Sequence, residues 1–362
     1  MTKADHHHPL FERIEQWRRK AGRIHGDVVL TAHGGGGKAM RDLIDDVVVG
    51  ILGEQTQVEE DQARFSLAEL AAWGDRLAYT TDSYVVSPLF FPGADIGKLA
   101  VNGTVNDLAV GGAVPLYLTL GLIIEEGLPV ATLRAVMRSI RDASAAAGVR
   151  VVTGDTKVVP RGAADQLFIN TSGVGVIPTG VDVGTHRITA DDVFIVSGFL
   201  GDHGAAILTA RGELNLQVDI PSDCAPLHAM VADLLEAVDV HAMRDVTRGG
   251  LAASLNELAL SAEVGVVVDG PALPVRPEVA GFCELLGLDP VHLANEGKLL
   301  FSVPAAQAEA ALAVVRKHPG AEAAAVIARC RAEPPGVVTL HTGFGSERIL
   351  DMLVGEQLPR IC

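Results

Sequence analysis

Apolar and polar positions in the first half of the chain alternate between the periods of strands and helices. Strand-like apolar runs occur at 45–52, 76–86, 115–124 and 149–159. A Gly-Asp pair predicts a turn within the last of these runs. Helical spacing of apolar residues occurs at 96–108 and 129–148, and the second helix is bounded by Pro129 and Gly148.

A stretch rich in glycine and turn-forming residues, 178–188, separates this half from a second one. The second half again alternates, with strands at 192–198 and 264–270, a loop that leads into a strand within 293–304, and a last helix at 305–317. We therefore expect an α/β or α+β fold in two domains. The expected segments are an N-terminal extension with a glycine-rich loop (1–40), an N-terminal domain (41–180), a C-terminal α/β domain (186–335) and a flexible tail (336–362).

The composition supports two packed domains and argues against polyanionic partners. The 362 residues are 48% hydrophobic and only 4% aromatic, and the formal net charge is −16. Nucleic acid and anionic membrane surfaces repel so acidic a chain, so neither is expected as a partner. Because no apolar run is long enough to cross a bilayer and the N-terminus lacks a secretory signal, we expect a cytoplasmic protein. The four cysteines form no CxxC pair, which argues against a zinc site of the usual spacing.

Four aspartates of the first half each stand at a predicted strand end or turn: Asp61, Asp82, Asp107 and Asp155. One such residue usually caps a turn, but four in one half exceed what turns alone require. Mg²⁺ prefers hard oxygen ligands and keeps phosphate oxygens in its shell. The acids therefore predict a magnesium–nucleotide site, to which Asn106 adds a neutral ligand or a hydrogen-bond donor.

Two glycine-rich segments could bind phosphate, and each also has a purely structural interpretation. Residues 34–37 are four glycines followed by Lys38, without the spacing of a P-loop. They form either a hinge or a mobile loop whose N–H groups bind phosphate. Gly249 and Gly250 precede a predicted helix, as a tight turn or as a helix N-terminus that binds an anion.

Further residues outside these segments could carry chemistry. Asp155 and Lys157 are two residues apart on a predicted strand and so face the same side, as a salt bridge or as parts of one site. Glu296 lies in an Asn-Glu-Gly loop, as an ordinary loop residue or as part of a site. Three histidines at 6–8 are either incidental or a weak metal-binding run. Cys362, the last residue, is not expected to be packed, unlike the other cysteines.

These motifs together resemble the HypE family of hydrogenase maturation proteins. The resemblance rests on TDSYVV, VNGTVNDLAVGGA, TGDTKVV, DVTRGGLAASLNELA, LANEGKL and the terminal PRIC, and it extends over about residues 33–362. The wider superfamily includes aminoimidazole ribonucleotide synthetase, selenophosphate synthetase and thiamine monophosphate kinase. The resemblance implies two α/β domains, of which the N-terminal one binds ATP and dimerises into a barrel-like sheet, with ATP sites near the subunit interface.

The resemblance also implies an activity. In the family, the terminal cysteine receives a carbamoyl group from a partner carbamoyltransferase, and ATP-dependent loss of water converts the thiocarboxamide to a thiocyanate. The cyano group then passes to iron on a scaffold complex of two further maturation proteins and becomes a cyanide ligand of [NiFe] hydrogenase. A thiol on a flexible tail could visit all three places, which would explain the position of Cys362.

Carried over residue by residue, the resemblance gives these positions roles. Cys362 is the carrier, while Lys157 and Glu296 match a lysine and a glutamate near the cysteine tail that could take protons; His203 is a weaker candidate. The implied cofactors are ATP and Mg²⁺. The expected nucleotide ligands are Lys38, Asp82, Asn106, Asp107, Asp155, Thr156, Gly249 and Gly250. The expected metal ligands are Asp61, Asp82, Asp107 and Asp155.

Two other functions fit parts of the pattern. A selenophosphate synthetase, or another small-molecule synthetase of the superfamily, would need a reactive Cys or selenocysteine near the N-terminus, and no cysteine precedes Cys224. A non-catalytic carrier would present Cys362 and bind nucleotide only for conformational control. ATP turnover with a carbamoylated tail distinguishes the dehydratase from such a carrier.

Overall fold

The computed structural model describes residues 22–24, 26–53, 61–212, 220–355, 358 and 360–362. The three histidines at 6–8 and most of the predicted N-terminal extension lie outside these residues. Within the described segments, no helix is both long and apolar enough to cross a membrane.

The first domain is built on a four-stranded sheet. Its elements are α1 (Lys38–Leu43), α2 (Leu67–Ala71), β1 (Arg76–Tyr84), β2 (Phe90–Phe91), β3 (Ala94–Asp95), α3 (Ile96–Val110), β4 (Val114–Glu125), α4 (Val130–Ala147), β5 (Arg150–Val159) and β6 (Leu167–Ile177). The sheet order is β1-β6-β4-β5; β4 and β5 are parallel, and the other two pairs are antiparallel. Helices α3 and α4 cover one face of this sheet.

Local sequence explains where these two helices begin and end. Asp95 caps α3, because its carboxylate accepts hydrogen bonds from the N–H groups of Gly97 (2.7 Å) and Lys98 (3.1 Å). Helix α4 follows Pro129 and ends at Gly148, whose φ of 68° lies in the left-handed region that glycine adopts without strain. Both helices therefore confirm the pattern-based prediction.

The segment 45–52 is helical, although its apolar run predicts a strand. Ile44–Val49 forms a π-helix, and Gly50–Leu52 continues it as an α-helix. Val47 lies in the core of the first domain, as does the last residue of this helix. The prediction was wrong because a short run of adjacent apolar residues does not distinguish a strand from a buried helix.

The turn predicted within 149–159 is also wrong, since β5 runs unbroken. Gly154 and Asp155 pair with Leu120 and Gly121 of β4. A Cβ added to Gly154 would lie 2.2 Å from the carbonyl oxygen of Leu120. The glycine thus permits a close approach of two strands instead of turning the chain.

The second domain is built on a seven-stranded mixed sheet. Its elements are β7 (Asp192–Val196), α5 (Asp202–Arg211), α6 (His228–Ala237), β8 (Ala242–Asp245), α7 (Gly250–Ala262), β9 (Gly265–Asp269), α8 (Pro277–Leu286), β10 (Leu299–Pro304), α9 (Ala308–Val315), β11 (Ala325–Arg331), β12 (Val338–His341) and β13 (Glu347–Ile349). The order is β13-β12-β9-β11-β7-β10-β8. With the first domain, this gives the predicted two-domain mixed α/β fold.

The second domain extends further along the chain than the predicted boundary at 335. Strands β12 and β13 fall within the segment predicted as a flexible tail, yet β12 pairs with β9 and β13 pairs with β12. Val338 and Leu340 are buried in the core of this domain. Burial of these apolar side chains holds the segment in the sheet, so the tail begins after β13.

Candidate active site

Asp82 and Asp107 form one charged cluster on the inner side of β1. Asp82 shares a strand face with Thr80, whose hydroxyl donates a hydrogen bond to Asp107 Oδ2 (2.8 Å). Burial raises the pKa of Asp107, and the charge of Asp82 raises it further. The two carboxylates therefore repel each other, and a cation would relieve that repulsion.

Asp245 joins this cluster from the second domain, at the end of β8. Burial raises the pKa of this half-buried carboxyl to about 7, and the charges of Asp107 and Asp82 add to the effect. The sequence pattern predicts no role for Asp245. The available signal was its position as the first residue of the DVTRGGLAASLNELA motif, four residues before Gly249.

Glu296 is buried beside the same cluster. Its side chain is 3% exposed, and its Oε1 has no hydrogen-bond partner among the described residues. Burial raises its pKa well above the ordinary range, and the charges of Asp245 and Asp223 contribute. The raised pKa favours the protonated form of Glu296. Its backbone N–H donates to Asp223 (3.0 Å), which also pairs with Lys298 (3.0 Å).

A second group of predicted residues lies at the opposite edge of the first sheet. Asp155 and Lys157 are exposed on β5, with Lys157 Nζ 3.1 Å from Asp155 Oδ2. Thr156 points to the buried face, and its N–H donates to Asp155 Oδ1 (2.9 Å). Lys38 begins α1 and pairs with Asp42 (2.8 Å). In one chain, this group is separated from β1 by the width of the sheet.

The four predicted metal ligands do not converge within one chain. Asp61 is exposed in the loop before α2, and Asp155 lies on the far edge strand from Asp82. Across the segments that the structure describes, no three His, Cys, Asp or Glu side chains are close enough to hold a metal ion. Mg²⁺ often takes only one or two carboxylates and completes its shell with phosphate oxygens and water. The Asp82–Asp107 pair fits that requirement.

Asn106 connects the two domains. It is buried, and its side-chain nitrogen donates to the carbonyl oxygens of Ala225 (3.1 Å) and Glu296 (3.4 Å). Its side-chain oxygen accepts from the N–H of Leu227 (2.8 Å). These contacts use both polar atoms of the amide, so we leave Asn106 out of the nucleotide site proposed below.

Gly249 and Gly250 start helix α7 with two consecutive left-handed residues, at φ 76° and 62°. A Cβ on Gly250 would lie 2.6 Å from the carbonyl oxygens of Val291 and Leu293, so only glycine fits. The preceding residue, Arg248, reaches toward the first domain, and its guanidinium lies 3.8 Å from Asp82 Oδ1. The helix N-terminus and Arg248 together provide positive electrostatic potential beside the acidic cluster.

The end of the tail is docked between the two domains. The N–H of Val85 donates to the carbonyl oxygen of Cys362 (3.0 Å), and the N–H of Ser87 donates to that of Arg360 (3.3 Å). Residues 360–362 thus lie alongside the chain that follows β1, as in the addition of a strand to a sheet edge. Ile361 is buried and Cys362 is half-buried.

A cavity of about 260 Å³ lies at the docked end of the tail. Cys362, Ile361, Arg248, Gly249 and His292 are among the residues that line it. Because Arg248 also approaches Asp82, this one side chain connects the surroundings of the Cys362 thiol with the acidic cluster. The arrangement brings together a thiol, a cation, a helix N-terminus and several carboxyl groups of raised pKa.

Family models match both domains of the chain. Residues 60–177 match the model for AIR synthase related protein, N-terminal domain, and residues 189–341 match the model for its C-terminal domain. A relative from Rhodobacter capsulatus, named carbamoyl dehydratase HypE, is 58% identical over 335 residues, which are 92% of this chain and 98% of that protein.

Solved structures with the same fold include ligand and partner complexes. A hydrogenase maturation protein HypE in complex with ATP is similar with a TM-score of 0.86 and 46% identity, over 92% of this chain and 99% of that one. A chain from a HypE–HypF complex is similar with a TM-score of 0.73 and 44% identity, over 76% of this chain and 90% of that one.

Proposed function

Because the chain belongs to the HypE family of carbamoyl dehydratases, we propose that Cys362 carries the group that is dehydrated. The chain is an ATP-dependent carbamoyl dehydratase of [NiFe] hydrogenase maturation. A carboxamide on the cysteine sulfur, S–C(=O)NH₂, loses one water to become a thiocyanate, S–C≡N, which supplies a cyanide ligand of iron. The observation that carries the assignment is the docking of Cys362 at a cavity that Arg248 connects to the acidic cluster.

We assign Mg-ATP to the acidic cluster and the start of α7. Bound ATP supplies the phosphoryl group that makes the carboxamide oxygen a leaving group. Asp82 and Asp107 would hold Mg²⁺, and their mutual repulsion favours a cation there. Arg248 and the N–H groups at Gly249 and Gly250 would bind phosphate, since the helix N-terminus attracts anions. Lys38, Asp61, Asp155 and Thr156 remain predictions for the same nucleotide.

Two carboxyl groups of the site can handle the protons that leave the amide nitrogen. A pKa near 7 suits Asp245 to accept a proton at neutral pH, so we add it to the predicted set. Burial and the neighbouring acids raise the pKa of Glu296, which favours its protonated form in the chain alone. Positive charge entering the cluster would lower its pKa and make it an acceptor, the role predicted from sequence.

We propose a homodimer formed through the uncovered face of the first sheet. Leu77 and Tyr79 are 61% and 70% exposed on the outer side of β1, and Ile123 is 42% exposed on β4. Apolar side chains on an uncovered sheet face indicate a partner surface. Lys157 lies three strands from β1, roughly 14 Å at the usual strand spacing, so we propose that it reaches Cys362 from a second copy.

The proposed external partners follow from the reaction and from the relatives. A HypF-like carbamoyltransferase would load Cys362, since a structure similar to this chain has been solved in a HypE–HypF complex. A HypC–HypD-like complex carrying iron would accept the cyano group. Neither nucleic acid nor a membrane is part of the proposed reaction.

Intact mass spectrometry tests the function directly. The purified chain is incubated with its carbamoyltransferase, carbamoyl phosphate and Mg-ATP, and Cys362→Ala serves as the control. We expect one carbamoyl group on the C-terminal peptide, followed by loss of one water that requires Asp82. Retention of the carbamoyl group without loss of water would instead indicate a carrier, and absence of any adduct would refute the assignment of Cys362.

A further inference from the structure

Three side chains outside the acidic cluster hold the last residues of the tail. His203 on α5 contacts the carbonyl oxygen of Ile361, and Arg211 on the same helix donates to the carbonyl oxygen of Arg360 (3.0 Å). Asp165 accepts a hydrogen bond from the guanidinium of Arg360 (2.6 Å). We call His203, Arg211 and Asp165 the tail clamp.

The protonation of His203 is fixed by its neighbours. The ring is buried, and burial lowers its pKa, so it is neutral at physiological pH. The N–H of Cys224 donates to Ser222 Oγ (3.1 Å), and the Ser222 hydroxyl lies 2.9 Å from His203 Nδ1. A carbonyl oxygen can only accept, so Nε2 carries the proton and donates to Ile361 (2.8 Å). These hydrogen bonds orient the Nε2–H of His203 toward the carbonyl oxygen of Ile361, the residue before Cys362.

Arg211 connects the tail to the strand beside it. Its Nε donates to the carbonyl oxygen of Ser87 (3.1 Å), while its Nη2 donates to that of Arg360 (3.0 Å). Ser87 in turn donates its N–H to the same carbonyl of Arg360 (3.3 Å). The guanidinium therefore bridges the two paired segments and holds them in register.

We propose that His203 and Arg211 are positioning residues that keep the Cys362 tail docked for dehydration. His203 and Arg211 both hold the backbone of the tail. The proposal rests on the function proposed above, because it assigns the docked position to the dehydration step. Carbamoylation by a separate enzyme needs an accessible thiol, so a weaker clamp should impair dehydration and spare carbamoylation.

The clamp can be measured without any turnover. Cys224, Cys283 and Cys330 are buried, so alkylation by iodoacetamide, followed by intact mass spectrometry, reports mainly on Cys362. Loss of one buried neutral hydrogen bond typically changes an equilibrium about ten-fold. We therefore expect His203→Leu to raise the alkylation rate of Cys362 roughly ten-fold. His203→Gln keeps an N–H donor at a similar reach and should stay close to the wild-type rate.

Arg211 provides an independent variant in case His203→Leu does not fold. Arg211→Met should raise alkylation in the same way, and melting temperature confirms that each variant is folded. In the double variant, the docked tail should no longer be the main population. Single-turnover dehydration of a pre-carbamoylated tail should therefore fall several-fold, while the rate of carbamoylation stays unchanged. Wild-type alkylation rates in both single variants would overturn the clamp. If the variants are alkylated faster but the carbamoylated wild type never loses water, the proposed function is overturned and the tail clamp stands.

Discussion

Replacing Asp245 by Asn should stabilise the protein at alkaline pH while impairing its chemistry. Asp245 is a carboxyl with a pKa near 7 that lies beside Asp107 and Asp82. Above that pH the folded chain must keep a third negative charge in the cluster. Asparagine has nearly the same shape and no charge, so the substitution removes this repulsion and also removes the proposed proton acceptor.

The magnitude follows from the change in pKa. A pKa of about 7 in place of 3.8 corresponds to roughly 4 kcal/mol for a fully buried carboxyl. Asp245 is only half-buried, so solvent screening reduces this to roughly 2 kcal/mol. Between about pH 4 and pH 7 the folded chain binds a proton that the unfolded chain has released. The free energy of unfolding of the wild type therefore falls as pH rises through this range, and the loss is complete above pH 7.

Urea unfolding at pH 4 and pH 8 measures the effect. We expect Asp245→Asn to exceed the wild type by roughly 2 kcal/mol at pH 8 and to match it near pH 4. Asp269→Asn, at an exposed position on β9 of the same domain, is the matched control and should change neither value. If Asp245→Asn is less stable than the wild type at pH 8, or if the difference does not depend on pH, the electrostatic reasoning about the cluster is wrong.

Three other substitutions test separate features. Tyr79→Arg, on the exposed sheet face, should convert the proposed dimer to folded monomers in analytical ultracentrifugation; a dimer mass in both wild type and variant would contradict this interface. Gly250→Ala should lower the free energy of unfolding by roughly 2 kcal/mol or more because of its backbone clash, whereas Gly287→Ala, which meets no atom within 4 Å, should cost only about 1 kcal/mol. Lys298→Met leaves the buried Asp223 without its cation and should cost about 3 kcal/mol, most of which a second change, Asp223→Asn, should restore; equal stability of the single variant would refute the pairing.

The sequence predicted elements correctly where apolar periodicity was long and its ends were marked. Helix α4 has Pro129 before it and Gly148 after it, and β4 is a long apolar strand. The apolar run at 45–52 wrongly predicts a strand because its adjacent valines fit either structure, and only packing of Val47 into the core selects the helix. The strands β12 and β13 were missed because they are short and gain their stability from pairing with a distant strand.

The residues of the candidate site also fall into two groups, those that a sequence motif identifies and those that only the folded structure identifies. Cys362, Asp82 and Gly250 stand in motifs, so the resemblance could single them out. Asp245 stands in the same motif as Gly250, but nothing in the motif marks it as important, because its raised pKa comes from burial beside acids of the other domain. The contact of His203 with the tail joins residues 158 positions apart, which no local pattern encodes.

Main-chain hydrogen bonds hold the last three residues of the docked tail, in addition to the Arg360–Asp165 ion pair and the burial of Ile361. The carbonyl groups of residues 360, 361 and 362 each accept a hydrogen bond, and none of these bonds involves the sulfur of Cys362. The same bonds can form whether the sulfur is bare, carries a carboxamide or carries a nitrile. These main-chain bonds do not distinguish a loaded sulfur from a bare one, so we expect the order of loading, dehydration and delivery to depend on other signals as well, such as the occupancy of the nucleotide site and the presence of partner proteins.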